Sequence, residues 1–169
     1  MTISMVIATA HLTLTPLRVE DAEEMVGVLG DQSLYAFTGG RPPTAAELRD
    51  RFRSQVTGSS PDGAQEWRNW IVRHTGDGHA IGYVQATIVE RSADIAWVIG
   101  VTWQGRGYAS EAVVALVDWL AERGVTTITA HIHPDHHASA SVARRAGLAP
   151  SDEMHEGEIV WRTLTGQRP

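Results

Sequence analysis

At 169 residues, with 43% hydrophobic and 20% charged content, the chain has the size and composition of one ordinary globular domain, read as residues 1–169, with a substantial core. A formal charge of -6 argues against a broad nucleic-acid surface, which carries a basic stripe, and suits a cationic small partner instead. The absence of cysteine excludes a disulfide framework, a thiolate metal site and a cysteine nucleophile.

Met1 to Ala8 lacks the basic start of a signal peptide, and no apolar run reaches the roughly 20 residues of a bilayer span. A cytoplasmic location without a membrane partner is therefore expected. Leu12, Leu14 and Leu17, with Thr13 and Thr15 between them, read as a first strand ended near Pro16. A helix follows over about Glu20–Leu29, with Glu20, Asp21, Glu23 and Glu24 at its positive end and Met25, Val28 and Leu29 facing inward. Thr44 and Glu47 form a capping box, and Leu48, Phe52 and Val56 then recur at helical spacing, so a second helix starts there.

Ser59-Ser60-Pro61-Asp62-Gly63 reads as a loop and Trp67–Val72 as a strand. Thr75-Gly76-Asp77-Gly78 turns the chain into a strand over Ala80–Val89, and Arg91-Ser92 turns it again into Asp94–Val101, giving an antiparallel meander. A helix over Ala109–Glu122 has Val113, Leu116, Val117 and Leu120 on one face and is ended by Gly124. Val125–Ile132 reads as a strand parallel to the one before that helix, reached by a right-handed crossover. Ala138–Ala146 is a short helix stopped by Gly147, and Leu148–His155 with Glu158–Leu164 is a final hairpin. The sum is an α/β fold with a mixed sheet of about seven strands and four helices.

The most informative junction is Gln104-Gly105-Arg106-Gly107-Tyr108-Ala109-Ser110, directly after the apolar run Ile95–Ile99. Glycines let successive amides converge on an anion, and the helix that follows adds unpaired N–H groups and the positive end of its dipole. The order strand, glycine turn, helix describes a phosphate cradle, with a pyrophosphate as the implied ligand group. A P-loop would need a lysine before serine or threonine at the helix start, and Ala109-Ser110-Glu111 has none. The dinucleotide fingerprint fits loosely and lacks its acid in Val125–Ala130. Both of those readings lose ground.

The pattern Gln/Arg-x-x-Gly-x-Gly/Ala, met by Gln104, Gly107 and Ala109, resembles the acetyl-CoA pyrophosphate loop of the GNAT superfamily of N-acetyltransferases. Trp97-Val98-Ile99, Glu111-Ala112, Pro134–Ser139 and Arg145–Leu148 extend the resemblance in order and spacing, toward the branch that holds the ribosomal-protein N-terminal acetyltransferases. The resemblance implies the GNAT fold and transfer of an acetyl group from acetyl-CoA to a primary amine in a ternary complex, the acceptor being a protein N-terminus, an amino acid or a small amine. A non-catalytic acyl-CoA sensor is the alternative it leaves open. The implied cofactor contacts are Val98 and Ile99 through their backbone, the loop residues Gln104, Gly105, Arg106, Gly107, Tyr108 and Ala109, and His136 and Ser139.

In that resemblance Ser139 protonates the departing thiolate, Ala143 stands where many GNAT enzymes carry a tyrosine, and His136 stands where an asparagine is common. Ser139 read on its own is a helix cap. Asp94, with Glu90 and His133, is placed to relay a proton as general base, and Tyr35, Phe37 and Arg41 border the acceptor. Trp103 lines the cofactor channel or packs, Trp67 and Trp70 shape the acceptor pocket or fill the core, and Arg144 and Arg145 meet phosphate or solvate a helix end. His131 and His133 on one strand face invite a metal reading, but no clear carboxylate completes a tetrahedral set and no metal is expected. Small amine and homodimer partners, the latter through the C-terminal strands, complete the expectations.

Overall fold

The Leu12–Pro16 alternation builds a strand whose Leu12 and Leu14 are fully buried. In the computed structural model, which describes residues 5–164, that strand is β2 (Leu12–Pro16), preceded by β1 (Ile7–Ala8). Six more strands follow: β3 (Glu66–His74), β4 (Ala80–Val89), β5 (Ser92–Ile99), β6 (Thr127–Ile132), β7 (Ala149–His155) and β8 (Glu158–Leu164). The helices are α1 (Ala22–Val28), α2 (Ala45–Gln55), α3 (Tyr108–Glu122) and α4 (His137–Arg145). Met1–Ser4, part of the segment read for a signal sequence, and residues 165–169 lie outside the described residues. Among the described residues no helix is long and apolar enough to cross a membrane.

The eight strands form one mixed sheet in the order β1-β2-β3-β4-β5-β6-β8-β7. Only β5 and β6 pair in parallel, joined by the crossover helix α3, and β8 lies between β6 and β7. Alternation along β3 divides the core: Trp70 and Val72 belong to the larger cluster with α3 and α4, whereas Ile71 packs with α1 and α2. Helices thus cover both faces. On α3, Val113, Leu116, Val117 and Leu120 are fully buried, and each contributes roughly 1.5–3 kcal/mol by leaving water.

Local chemistry moves several expected boundaries. The helix expected from Glu20 begins as a tight 3₁₀ turn, Val19–Asp21, because the Asp21 carboxylate turns inward to accept the Arg18 N–H at 2.8 Å and to pair with Arg73 at 3.0 Å. The strand expected to reach Val101 stops at Ile99, where Gly100 leads into another 3₁₀ turn, Val101–Trp103. The capping box at α2 forms, with Thr44 Oγ1 accepting the Glu47 N–H and Glu47 Oε1 accepting the Thr44 N–H, both at 3.2 Å.

Gly82 in β4 faces Ile99 in β5, and a Cβ there would stand 2.1 Å from the Val98 carbonyl oxygen. That close approach needs glycine. It sets the backbone position of the strand end that leads into the glycine turn.

Candidate active site

Gly105 and Gly107 hold φ at +77° and +83°, the left-handed region that costs other residues about 1–2 kcal/mol. A Cβ on either would meet nothing within 4 Å, so backbone conformation, not crowding, requires glycine, and the space above the turn is open. Gly107 is the N-cap of α3 and offers no side-chain hydrogen bond to the helix start. The first N–H groups of α3 are therefore directed at open space with a positive dipole end behind them.

Two contacts fix this turn. Gln104 Nε2 donates to the Ile99 carbonyl at 2.9 Å, tying the loop to the end of β5. Glu111, in the first turn of α3, accepts hydrogen bonds from Thr9 Oγ1, from the His11 N–H at 2.9 Å and from His11 Nδ1 at 2.8 Å. Burial pushes the Glu111 carboxyl upward, but those donors outweigh it and hold the group below its ordinary value.

Beside the turn the sheet opens. The β5–β6 pairing covers Ser92↔Thr127, Ala93↔Ile128 and Asp94↔Thr129 and then ends, although β5 continues to Ile99 and β6 to Ile132. On its far edge β6 remains fully paired with β8 through Ile132. The edge of β5 from Ile95 to Ile99 is left without a β6 partner, a slot into which an extended chain fits as an added strand.

The slot and the glycine turn share one cavity of about 470 Å³. Its walls are Trp97, Val98 and Ile99 from β5; Trp103, Gln104, Gly105 and Gly107 from the loop; and Tyr108, Ala109 and Ser110 from α3. His136, Ser139 and Arg145 enter from α4 and its cap, and Ser33, Leu34 and Phe37 close the opposite side. Arg145 also donates to Ser110 Oγ at 3.4 Å, linking the two helices that flank the cavity.

At the start of α4, His136 Nδ1 accepts the Ser139 N–H at 3.4 Å while its Nε2 lies 3.1 Å from Ser139 Oγ. Phe37 stacks on the imidazole with centroids 4.5 Å apart and also lies 5.1 Å from the His133 ring. Burial, then the neighbouring His133 and His137, pushes the His136 ring below the ordinary imidazole value and keeps it neutral near pH 7.

The structure thus brings Val98, Ile99, Gln104, Gly105, Gly107, Tyr108, Ala109, His136 and Ser139 to one cavity. Arg106 instead lays its guanidinium over the Trp103 ring, 5.4 Å from the centroid. Asp94 is exposed at the last position where β5 pairs with β6 and is not among the cavity residues. Of the acceptor-side candidates, Phe37 reaches the cavity, whereas Tyr35 donates to the Leu29 carbonyl at 2.9 Å and Arg41 forks onto Glu47 at 2.9 and 3.1 Å. Trp70 is core, its Nε1 donating to the Met5 carbonyl at 2.6 Å and its ring edge-on to Trp119. His131 faces His155 and His133 accepts the Asp135 N–H, so the two histidines weighed as a metal pair have separate partners. Among the described residues no group of three His, Asp or Glu side chains is arranged to hold a metal. Sequence reasoning missed Ser33 and Leu34, which sit on a 3₁₀ turn, Gln32–Tyr35, too short for any periodic signal.

Known proteins resemble this chain in sequence or in fold. An L-2,4-diaminobutyric acid acetyltransferase of Nocardia farcinica (strain IFM 10152) is 38% identical over 79 residues, 42% of this chain; the match spans only 41% of that relative's length. Among solved structures, a GNAT-family acetyltransferase from Bacillus anthracis superposes with a TM-score of 0.78 at 19% identity, covering 96% of this chain and 99% of the other. The spermidine N-acetyltransferase of Vibrio cholerae, in complex with CoA and spermine, does so with a TM-score of 0.73 at 18% identity, covering 94% and 98%. The family model of the GNAT acetyltransferase domain matches residues 11–149, and the chain belongs to that family.

Proposed function

We propose that this acetyltransferase uses acetyl-CoA as co-substrate and passes the acetyl group to a primary amine by direct attack in a ternary complex. The observation that carries the reading is the single cavity in which the unpaired edge of β5 runs into an uncapped, glycine-turned helix N-terminus. The turn and the α3 amides hold the pyrophosphate, and the open edge of β5 ending at Ile99 holds the pantetheine arm, the Val98 carbonyl being turned toward Gly82 of β4. The Ile99 amide stands at the thioester oxygen, where charge develops as the carbonyl becomes tetrahedral.

The carbon–nitrogen bond forms from the neutral amine, and the carbon–sulfur bond then breaks. The nitrogen gives up one proton to water, and Ser139 Oγ–H supplies one to the departing sulfur. A protein or amino-acid α-amine, with a pKa near 8, needs little help to lose its proton. The relatives include a diamino-acid and a polyamine enzyme, and the acceptor class proposed here is the primary amine common to both.

Calorimetric titration with acetyl-CoA followed by thiol release on an amine panel tests this. Saturable binding with amine-dependent thiol release is expected. Absence of saturation at millimolar acetyl-CoA removes the reading, and binding without release on any amine replaces it with an acyl-CoA sensor.

A further inference from the structure

The side of the cavity closed by Ser33, Leu34 and Phe37 is built from a short segment with many ties. Asp31 Oδ1 accepts the Ser33 N–H at 2.8 Å and the Ser33 hydroxyl at 2.6 Å. The Tyr35 hydroxyl donates to the Leu29 carbonyl, and the Gly39 N–H donates to the Tyr35 carbonyl, both at 2.9 Å. Phe37 is thereby carried across to α4, where it stacks on His136 and still remains 38% exposed. Leu34 and Val98, both half-buried, pack against the core cluster beneath α1 and α2 and continue the wall. A partly exposed phenyl ring and two aliphatic side chains thus stand beside the start of α4, where Ser139 lies.

The charges are distributed just as unevenly. Among the described residues no Asp or Glu lines this cavity, and Arg145 is the one permanently charged side chain that does. Arg145 bonds to Ser110 at the start of α3, about 9 Å along α4 from Ser139, and so belongs with the phosphate end. The acids nearest to Phe37 in the chain are engaged elsewhere: Asp31 holds Ser33, and Glu47 is forked by Arg41. Asp135, next to His136, is exposed and is not among the cavity residues. The His136 ring, held below the ordinary imidazole value by burial and then by His133 and His137, adds no charge near pH 7.

We propose that Phe37 selects the acceptor, and that the amine acetylated here is a monoamine with an apolar or aromatic substituent, in preference to a diamine or polyamine. This rests on the acetyltransferase reading above, and the bonds made and broken are those given there. The reacting nitrogen is neutral at the moment of attack, so the remainder of the molecule decides the fit. A hydrocarbon chain or ring laid on Phe37 and Leu34 leaves water together with them. A second ammonium in the same place also loses water and meets no carboxylate, which disfavours it. The phenyl ring attracts a cation only weakly at a wet surface, and one of its faces is already covered by His136.

Thiol release at saturating acetyl-CoA, with amines matched in length, tests this. Hexylamine and 2-phenylethylamine should each exceed 1,6-diaminohexane and spermidine about tenfold or more in kcat/KM. Equal or faster turnover of the diamine or polyamine overturns the proposal. So does an absence of release on both monoamines while another amine of the panel is acetylated. In Phe37→Ala the ratio of hexylamine to 1,6-diaminohexane should fall toward one, chiefly through KM for hexylamine. Phe37→Leu should keep most of the ratio, and Phe37→Glu, which supplies the missing carboxylate, should reverse it. Circular dichroism and acetyl-CoA titration check that each variant is folded, and the matched wild-type amines decide the substrate class without any variant. Variants that slow all amines by one common factor overturn the selecting role of Phe37. A wild-type protein that binds acetyl-CoA but releases no thiol on any amine overturns the acetyltransferase reading and this inference together, whereas a preference for diamines overturns this inference only.

Discussion

Two helix N-termini in this molecule solve the same electrostatic problem in opposite ways. At α2 the Thr44–Glu47 capping box closes the end, and Arg41 closes it further by forking onto Glu47. At α3 the cap position is Gly107, which has no side chain to bond the first amides, and the nearby acid Glu111 is drawn away to Thr9 and His11. The first end is satisfied by its own sequence and is structural. The second is held rigid from the side while its amides stay unclaimed, and that difference, not the presence of a helix, distinguishes an anion cradle from an ordinary helix start.

The contrast predicts three outcomes. Gly107→Asp would close the open end with an acid that still tolerates left-handed φ, placing a carboxylate where phosphate is proposed to sit. Acetyl-CoA affinity should fall about a hundredfold or more by calorimetry, as expected for a charge set against a desolvated anion. A variant that binds within a few fold of the parent would show that the cradle is elsewhere.

Thr44→Ala would open the closed end. It should cost about 1 kcal/mol in denaturant unfolding and leave acetyl-CoA affinity within about twofold, because α2 borders no phosphate. The smallest effect belongs to Glu47. Arg41, then the Thr44 donors, hold its carboxyl down at about 2, so its share of stability is complete above the ordinary value of 4.5 and fades as pH falls toward 2. Glu47→Gln should flatten that part of the stability–pH curve. An unchanged acid limb would mean that the ion pair is not populated in solution.

The glycine turn was readable in the sequence because its requirements are local: positive φ favours glycine at Gly105 and Gly107, and glycine as N-cap leaves the first amides of α3 without a side-chain partner. The long apolar face of α3 and the capping box of α2 were readable for the same reason. Register was not. Nothing in Asp94 announces that it is the last residue β5 shares with β6, so its place at the end of that pairing emerges only with the structure. Ile7–Ala8 is too short to show alternation, and its pairing depends on Leu14 and Thr13. The spacing of His136 and Ser139 placed them side by side, but which nitrogen meets which atom is a matter of ring orientation.

The strand order also fixes when the parts come together. β6 shares three residues with β5 but six with β8, and β8 is made only after α4 and β7 have been added. During synthesis the meander β3–β5 and its glycine turn can assemble from near neighbours, while β6 waits for a distant strand to anchor it. His136 and Ser139 hang from the end of β6. The topology therefore lets the glycine turn form from near neighbours in sequence, while His136 and Ser139 depend on a strand anchored from farther along the chain.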